Sequence, residues 1–490
     1  MPSQPVARRR APVTTFVVGL AWFGFKLGFG LTSLASVWAS AVLKDGVLWA
    51  KDTNEEKQEL VAAQKKHWSL DREPLPGFRH AFFTTSTGTR LHFVTSAKAE
   101  GMEAKNICIF IHGFPDSFLL WRHILQSSEL RRNHILIAVD LPGYGGSDGL
   151  PSYGAYDMLE TMTEFILDMR KQYLQADRKV VIATHDWGAL IGARLASEAA
   201  QLADRWIITS GMLPHLAASN AESQMSLAKQ MLHTWIRSPF NLRLLKKAFT
   251  ALGPVRSQFR RSFYIFCFQL PWPFSNFFAT FGNYWFLRVL HSLGKGSPRK
   301  DEMTLGRLNP SEVGEAMAMS TGPGMAQLET TKGGNESLRY GESVRKRVND
   351  RGMFEKVKIY RDGLFIGRWE KSLETTAALY DISSANGSTI QSSSGPLLGG
   401  QPRGALKAPT TFLLGERDPA FDRQLALNNA KDFLVEGSQV ALVKEAGHWL
   451  PLEPAGRRVL EKVVVWALSE DGSASGPFAT MSEVKVIVET

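Results

Sequence analysis

Six short apolar runs constrain the fold more than any other feature of the chain. Residues 106–111, 135–139, 180–183, 205–209, 410–414 and 439–443 are each too short for a buried helix and end at polar or glycine residues. Stretches with helical periodicity lie between them, most plainly at residues 156–174 and 189–200. Apolar strands without a polar face belong in a sheet covered on both sides, and their alternation with helices makes that sheet mostly parallel. A hairpin pattern, residues 82–84 and 90–95 around Gly88, precedes the series. The expected class is therefore α/β, with helices flanking the sheet.

This rhythm is lost over residues 212–374. Aromatic side chains crowd residues 259–286, with Arg260, Arg261 and Arg288 among them. The block falls between a strand near residue 209 and another near 412, so it reads as an inserted helical lid. The core is then split into residues 79–211 and 405–470. Residues 380–404, rich in Ser, Gly and Pro, read as a flexible loop. Residues 305–345 match no pattern, and neither does the tail, residues 471–490.

Lys and Arg exceed Asp and Glu by ten, 57 against 47. No basic stripe with interleaved base-stacking aromatics accompanies the excess, so nucleic acid is not an expected partner. Of the two cysteines, Cys108 lies inside an apolar run and reads as a small core residue. Neither a disulfide framework nor metal-ligand spacing is visible, and no cofactor is expected.

Residues 1–50 form a separate segment. Arg8, Arg9 and Arg10 precede an apolar stretch, residues 13–43, interrupted only by Lys26, and the first acidic residue is Asp45. A membrane span needs about 20 apolar residues, and Lys26 could reach the interface if the span began near Leu27. The expectation is a single N-terminal anchor, placed in the endoplasmic reticulum membrane with the arginines on the cytosolic side. A cleaved signal ending near Ala39 or Ala41, or an Arg-rich mitochondrial targeting segment, are the alternatives.

Chemistry gathers where the runs end. Thr184-His185-Asp186-Trp187-Gly188-Ala189 joins a strand to a helix in the nucleophile-elbow pattern, with Asp at the position of the attacking residue. Gly188 provides the small residue that this tight turn needs, whereas Thr184 departs from the pattern. The positive end of the following helix favours an ionised Asp186, and such a carboxylate can attack an electrophilic carbon to form an ester. Taken alone, Asp186 could instead simply cap the helix. Asp418 in Gly415-Glu416-Arg417-Asp418 and His448 in Ala446-Gly447-His448-Trp449 follow later strands, which completes the order nucleophile, acid, histidine. His112-Gly113-Phe114-Pro115 follows residues 106–111, and the Phe114 and Trp187 N–H groups are suited to form an oxyanion hole.

On these motifs the chain resembles the epoxide hydrolases of the α/β-hydrolase fold, in their aspartate-nucleophile branch, over residues 79–468. That branch also contains haloalkane dehalogenases. The resemblance implies two lid tyrosines that hydrogen-bond the epoxide oxygen, which dehalogenases lack. Tyr264, in Tyr264-Ile265-Phe266-Cys267-Phe268-Gln269-Leu270-Pro271, and Tyr360, in Ile359-Tyr360-Arg361-Asp362, resemble these two segments. The implied substrates are a lipophilic epoxide and water, without a cofactor. Dehalogenation, or non-catalytic binding of a lipophilic ligand, are the competing readings.

Overall fold

The apolar runs become strands of one nine-stranded sheet: β1 Arg79–Thr84, β2 Arg90–Thr95, β3 Asn106–Ile111, β4 His134–Val139, β5 Val180–His185, β6 Arg205–Thr209, β7 Thr410–Gly415, β8 Gln439–Val443 and β9 Val484–Glu489. The computed structural model describes residues 13–97, 105–175, 178–294, 308–329, 338–385, 402–469 and 476–490. Strand order is β1-β2-β4-β3-β5-β6-β7-β8-β9. Pairing is parallel from β4 through β8 and antiparallel at both edges. Strands β3, β5, β7 and β8 are buried along their whole length. Each fully buried Val, Ile or Leu contributes roughly 1.5–3 kcal/mol over its exposed state. The register sets Ile111 level with Thr184, and His185 level with Thr209. The loops that follow β3 and β5 therefore emerge side by side.

The tail, where no pattern was visible, contains strand β9, antiparallel to β8. It is a short edge strand with Val486 and Ile487 partly exposed and Lys485 between apolar neighbours, so the two-faced contrast of an inner strand is missing. Residues 386–401 of the expected loop lie outside the described residues, and its beginning is helical, in Leu373–Ala385.

Two helices precede the sheet. The first, α1 (Val13–Asp45), has 33 residues and is, among the described residues, the helix long and apolar enough to cross a membrane. Residues 17–25 are exposed, although Phe25 packs edge to face on Phe259 and Phe266, and from Leu27 onward one face of the helix packs against the lid. At Gly30 an added Cβ would lie 2.8 Å from the Phe266 carbonyl oxygen, and Leu34 and Ala41 are buried. The half of the helix beyond Leu27 thus has one face on the protein, while Leu31, Trp38 and Leu43 are exposed on the other.

The second helix, α2 (Asn54–Trp68), was not legible as an amphipathic pattern. It is secured by a Thr53–Glu56 capping box and by contacts distant in sequence. Trp68 Nε1 donates to the Ala318 carbonyl at 3.0 Å, and Lys66 pairs with Glu315 at 2.9 Å. The unmatched region 305–345 is thereby partly explained. Its described parts include helices Pro310–Thr321 and Met325–Glu329, and the first of these seats α2. The rest of the lid, the insertion between β6 and β7, includes helices Pro214–Arg237, Leu242–Ala251, Gly253–Arg261, Phe263–Phe268, Trp272–Gly294, Glu342–Arg347 and Met353–Val357, with Trp272–Gly294 broken by positive φ at Gly282, Asn283 and Tyr284.

Candidate active site

The chain leaves β5 so sharply that Asp186 takes φ 53° and ψ −116°, a conformation costing on the order of 1–3 kcal/mol for a residue with a side chain. Small neighbours permit it. A Cβ on Gly188 would strike the Ile111 and His112 carbonyl oxygens, and one on Gly113 would strike the Asp186 carboxylate and the Trp187 nitrogen. Thr184, the one departure from the pattern, is accommodated from behind by Gly192, where a Cβ would come within 2.8 Å of the Thr184 methyl. The Thr184 hydroxyl donates to the Ile207 carbonyl at 3.1 Å.

The two Asp186 oxygens face different partners. Oδ1 accepts the Phe114 N–H at 2.7 Å, and Oδ2 lies 3.6 Å from His448 Nε2. On its far side His448 Nδ1 is 2.9 Å from Asp418 Oδ2. Burial disfavours the imidazolium, but Asp418 and Asp186 outweigh it and raise the His448 pKa well above its ordinary value. His185, its ring 5.1 Å from that of His448, is held neutral by burial and by the neighbouring histidine.

The lid brings both expected tyrosines to this point. Tyr264, on helix Phe263–Phe268, and Tyr360, at the end of the short turn Lys358–Tyr360, meet edge to face with ring centroids 5.8 Å apart. The Tyr360 ring also packs 4.8 Å from Trp187 and 5.1 Å from Phe114. Burial raises both phenol pKa values above the ordinary range, and the Asp186 charge acts in the same direction. Both therefore remain protonated donors at neutral pH.

A reciprocal clamp links the segments that carry them. Gln269 Nε2 donates to the Tyr360 carbonyl at 3.1 Å, while Arg361 donates to the Phe268 and Leu270 carbonyls, the latter at 2.7 Å. The Arg361 guanidinium also stacks 4.2 Å from the Trp272 ring centroid.

Two buried ionisable groups near the site escaped sequence reasoning. Asp116 accepts from Trp449 Nε1 at 3.1 Å, its Oδ1 has no hydrogen-bond partner, and burial pushes it up to about 7. Its position immediately after Pro115 was the available signal. Lys356 donates to the Ser320 carbonyl and is pushed down to about 7 by burial. Its own carbonyl accepts the Tyr144 hydroxyl at 3.1 Å, which holds the turn leading to Tyr360. Nothing in the sequence around Lys356 marks it.

A strained elbow at the carboxyl edge of a parallel sheet, facing a His–Asp pair, is the constellation of a hydrolase of the elbow type. A profile of the alpha/beta hydrolase family matches residues 108–461, and the chain belongs to that family. Among curated relatives, epoxide hydrolase 2 of Caenorhabditis elegans is 30% identical over 153 residues, which are 31% of this chain and 39% of that protein. Epoxide hydrolase 3 of Mus musculus is 26% identical over 212 residues, 41% of this chain and 46% of that one. The chain thus spans less than half the length of these relatives. In fold it is also similar to the Cif epoxide hydrolase of Acinetobacter nosocomialis, with 15% identity, coverage of 86% and 99%, and a TM-score of 0.45.

Proposed function

We propose that this chain hydrolyses a lipophilic epoxide to a vicinal diol through a covalent ester on Asp186. The observation that carries this reading is the meeting of Tyr264 and Tyr360, two neutral phenols from separate lid segments, beside the residues that flank Asp186. Ring opening puts an electron pair on oxygen, and a phenol can donate its proton to that site. Halide release has no such requirement. The aromatic rings packed around the site, Phe114 on Phe268 and Phe421 beside His448, suit an apolar substrate.

In the first step Asp186 Oδ2 attacks an epoxide carbon. The carbon–oxygen bond breaks toward oxygen, which takes a proton from a tyrosine. Oδ1 stays in the Phe114 N–H cradle as the ester carbonyl. Esterification removes one of the two charges that hold His448 protonated, so its proton affinity falls; its proton passes to the tyrosinate, restoring the phenol and leaving a neutral imidazole base oriented by Asp418. Water then gives a proton to Nε2 and adds to the ester carbonyl carbon. The Phe114 and Trp187 N–H groups stabilise the resulting oxyanion. Collapse releases the diol, returning its proton through His448. Purified protein should convert members of a panel of aryl, terpenoid and fatty epoxides to diols. Halide release from haloalkanes with no action on epoxides would establish the dehalogenase reading instead.

We also read α1 as a retained anchor in the endoplasmic reticulum membrane. Cleavage near Ala39 would remove Leu34, which is buried against the lid. Full-length protein should resist carbonate washing, and loss of residues 1–25 should release it while sparing the packed half of α1.

A further inference from the structure

We infer that the lid face formed by Pro214–Arg237, Leu242–Ala251 and Gly253–Arg261 docks on an anionic phospholipid bilayer beside α1. The inference rests on the reading of α1 as an anchor. A span of about 20 residues that starts at Val13 reaches beyond Gly30, where α1 already touches Phe266. The lid must then sit at the bilayer surface.

The lid surface has the chemistry for that position. Residues 223–261 hold eight Lys and Arg and no Asp or Glu. Apolar side chains stand exposed among them: Ile236 at 66%, Phe240 at 98%, Leu242 at 68% and Phe249 at 51%. Leu242 and Phe249, seven residues apart, share one helical stripe, and Arg243, Lys246 and Lys247 lie beside it. A large exposed apolar patch on a soluble face is unusual. Apolar side chains with a basic flank are the pattern of a helix lying in a membrane interface, where anionic headgroups attract each cation. Two grooves add to this. One, of about 430 Å³, runs between the first two helices with an apolar floor and Arg243, Lys246 and Lys247 along it. The other, of about 650 Å³, lies between α1 and the lid, lined by Phe25, Phe29, Phe259 and Phe263 with Arg256 and Arg260. Phe263 stacks edge to face on Tyr264, 5.9 Å between centroids, so this surface adjoins the candidate active site.

The test uses the full chain in vesicles. Cys108 and Cys267 are buried, so Phe240→Cys provides one reactive thiol for a fluorophore. Thr87→Cys, at the exposed tip of the β1–β2 hairpin, is the reference. With vesicles of phosphatidylcholine and phosphatidylserine carrying spin-labelled lipid, the probe at 240 should be quenched and that at 87 should not. Quenching at 240 should fall toward the reference level in phosphatidylcholine alone, and in the combined variant Arg243→Glu, Lys246→Glu and Lys247→Glu. Carbonate-resistant protein whose probe at 240 is quenched no more than that at 87 would leave the anchor standing and overturn lid docking. Equal quenching in both lipid mixtures would also overturn it. Protein that fails to float with either vesicle overturns anchor and docking together. None of these readouts involves turnover, so each is independent of the epoxide reading.

Discussion

Core and lid position their functional groups by different means. Asp186, Asp418 and His448 each stand in a loop just beyond a buried parallel strand, and the register of β3, β5, β7 and β8 brings those loops to one edge. Backbone geometry alone nearly fixes them. Tyr264 and Tyr360 have no sheet behind them. Their rings meet because the Gln269–Arg361 clamp, the Lys356 and Tyr144 contacts, and the aromatic packing around Phe268 hold two distant segments together. On the proposed reading the core thus supplies charge at fixed points, Asp186 on a strained one, while the lid supplies neutral donors through packing.

The contrast predicts a graded series of losses. Asp186→Ala should abolish turnover with the fold intact, because no neighbouring group can form the ester. Diol formation at even a tenth of the normal rate would break the core half of the account. Next come the tyrosines. Tyr264→Phe and Tyr360→Phe each remove one donor and keep the ring, so each should slow ester formation by about 10²–10³, and the double variant should be inactive on epoxides. Normal single-turnover rates for both single variants would reduce these side chains to packing.

The clamp should come third. Arg361→Leu or Gln269→Leu loses hydrogen bonds worth roughly 0.5–1.5 kcal/mol each, so ester formation should slow by up to about tenfold while hydrolysis of a preformed ester is unchanged. Equal slowing of both half-reactions would mean that the clamp serves the whole fold rather than the tyrosines.

Asp116→Asn should affect turnover least and stability in a pH-dependent way. Its folded pKa, raised to about 7, lies above the ordinary value of about 3.9. Well below pH 4 both states are protonated and the group costs nothing. As pH rises from there through 7, the unfolded chain ionises first and the native state loses stability. The Tm advantage of the Asn variant should therefore be small at pH 4 and grow to pH 8. Parallel Tm profiles would contradict the buried, protonated carboxyl.

The same contrast explains what could be read from the sequence. The six apolar runs and the residues at their ends were legible because a buried strand and an elbow each leave a local signature, as at Gly188 beside Asp186. Thr184 looked anomalous because its compensation, Gly192, lies on the next helix. Helix α2 was silent, since its stability comes from Ala318 and Glu315 on a distant helix rather than from an apolar stripe. Strand β9 was silent because an exposed edge imposes little pattern. Lys356 could not have been singled out, as its burial depends on contacts with Ser320 and Tyr144.

The covalent route through Asp186 stands or falls with the variant His448→Gln. Ester formation does not need the base, whereas hydrolysis does. On mixing this variant with an epoxide that the wild type turns over, mass spectrometry of the digested protein should show the peptide containing Asp186 heavier by one substrate. Wild type sampled at the steady state should show far less adduct. If the variant accumulates no adduct on Asp186 with any epoxide that the wild type hydrolyses, the ester mechanism is contradicted.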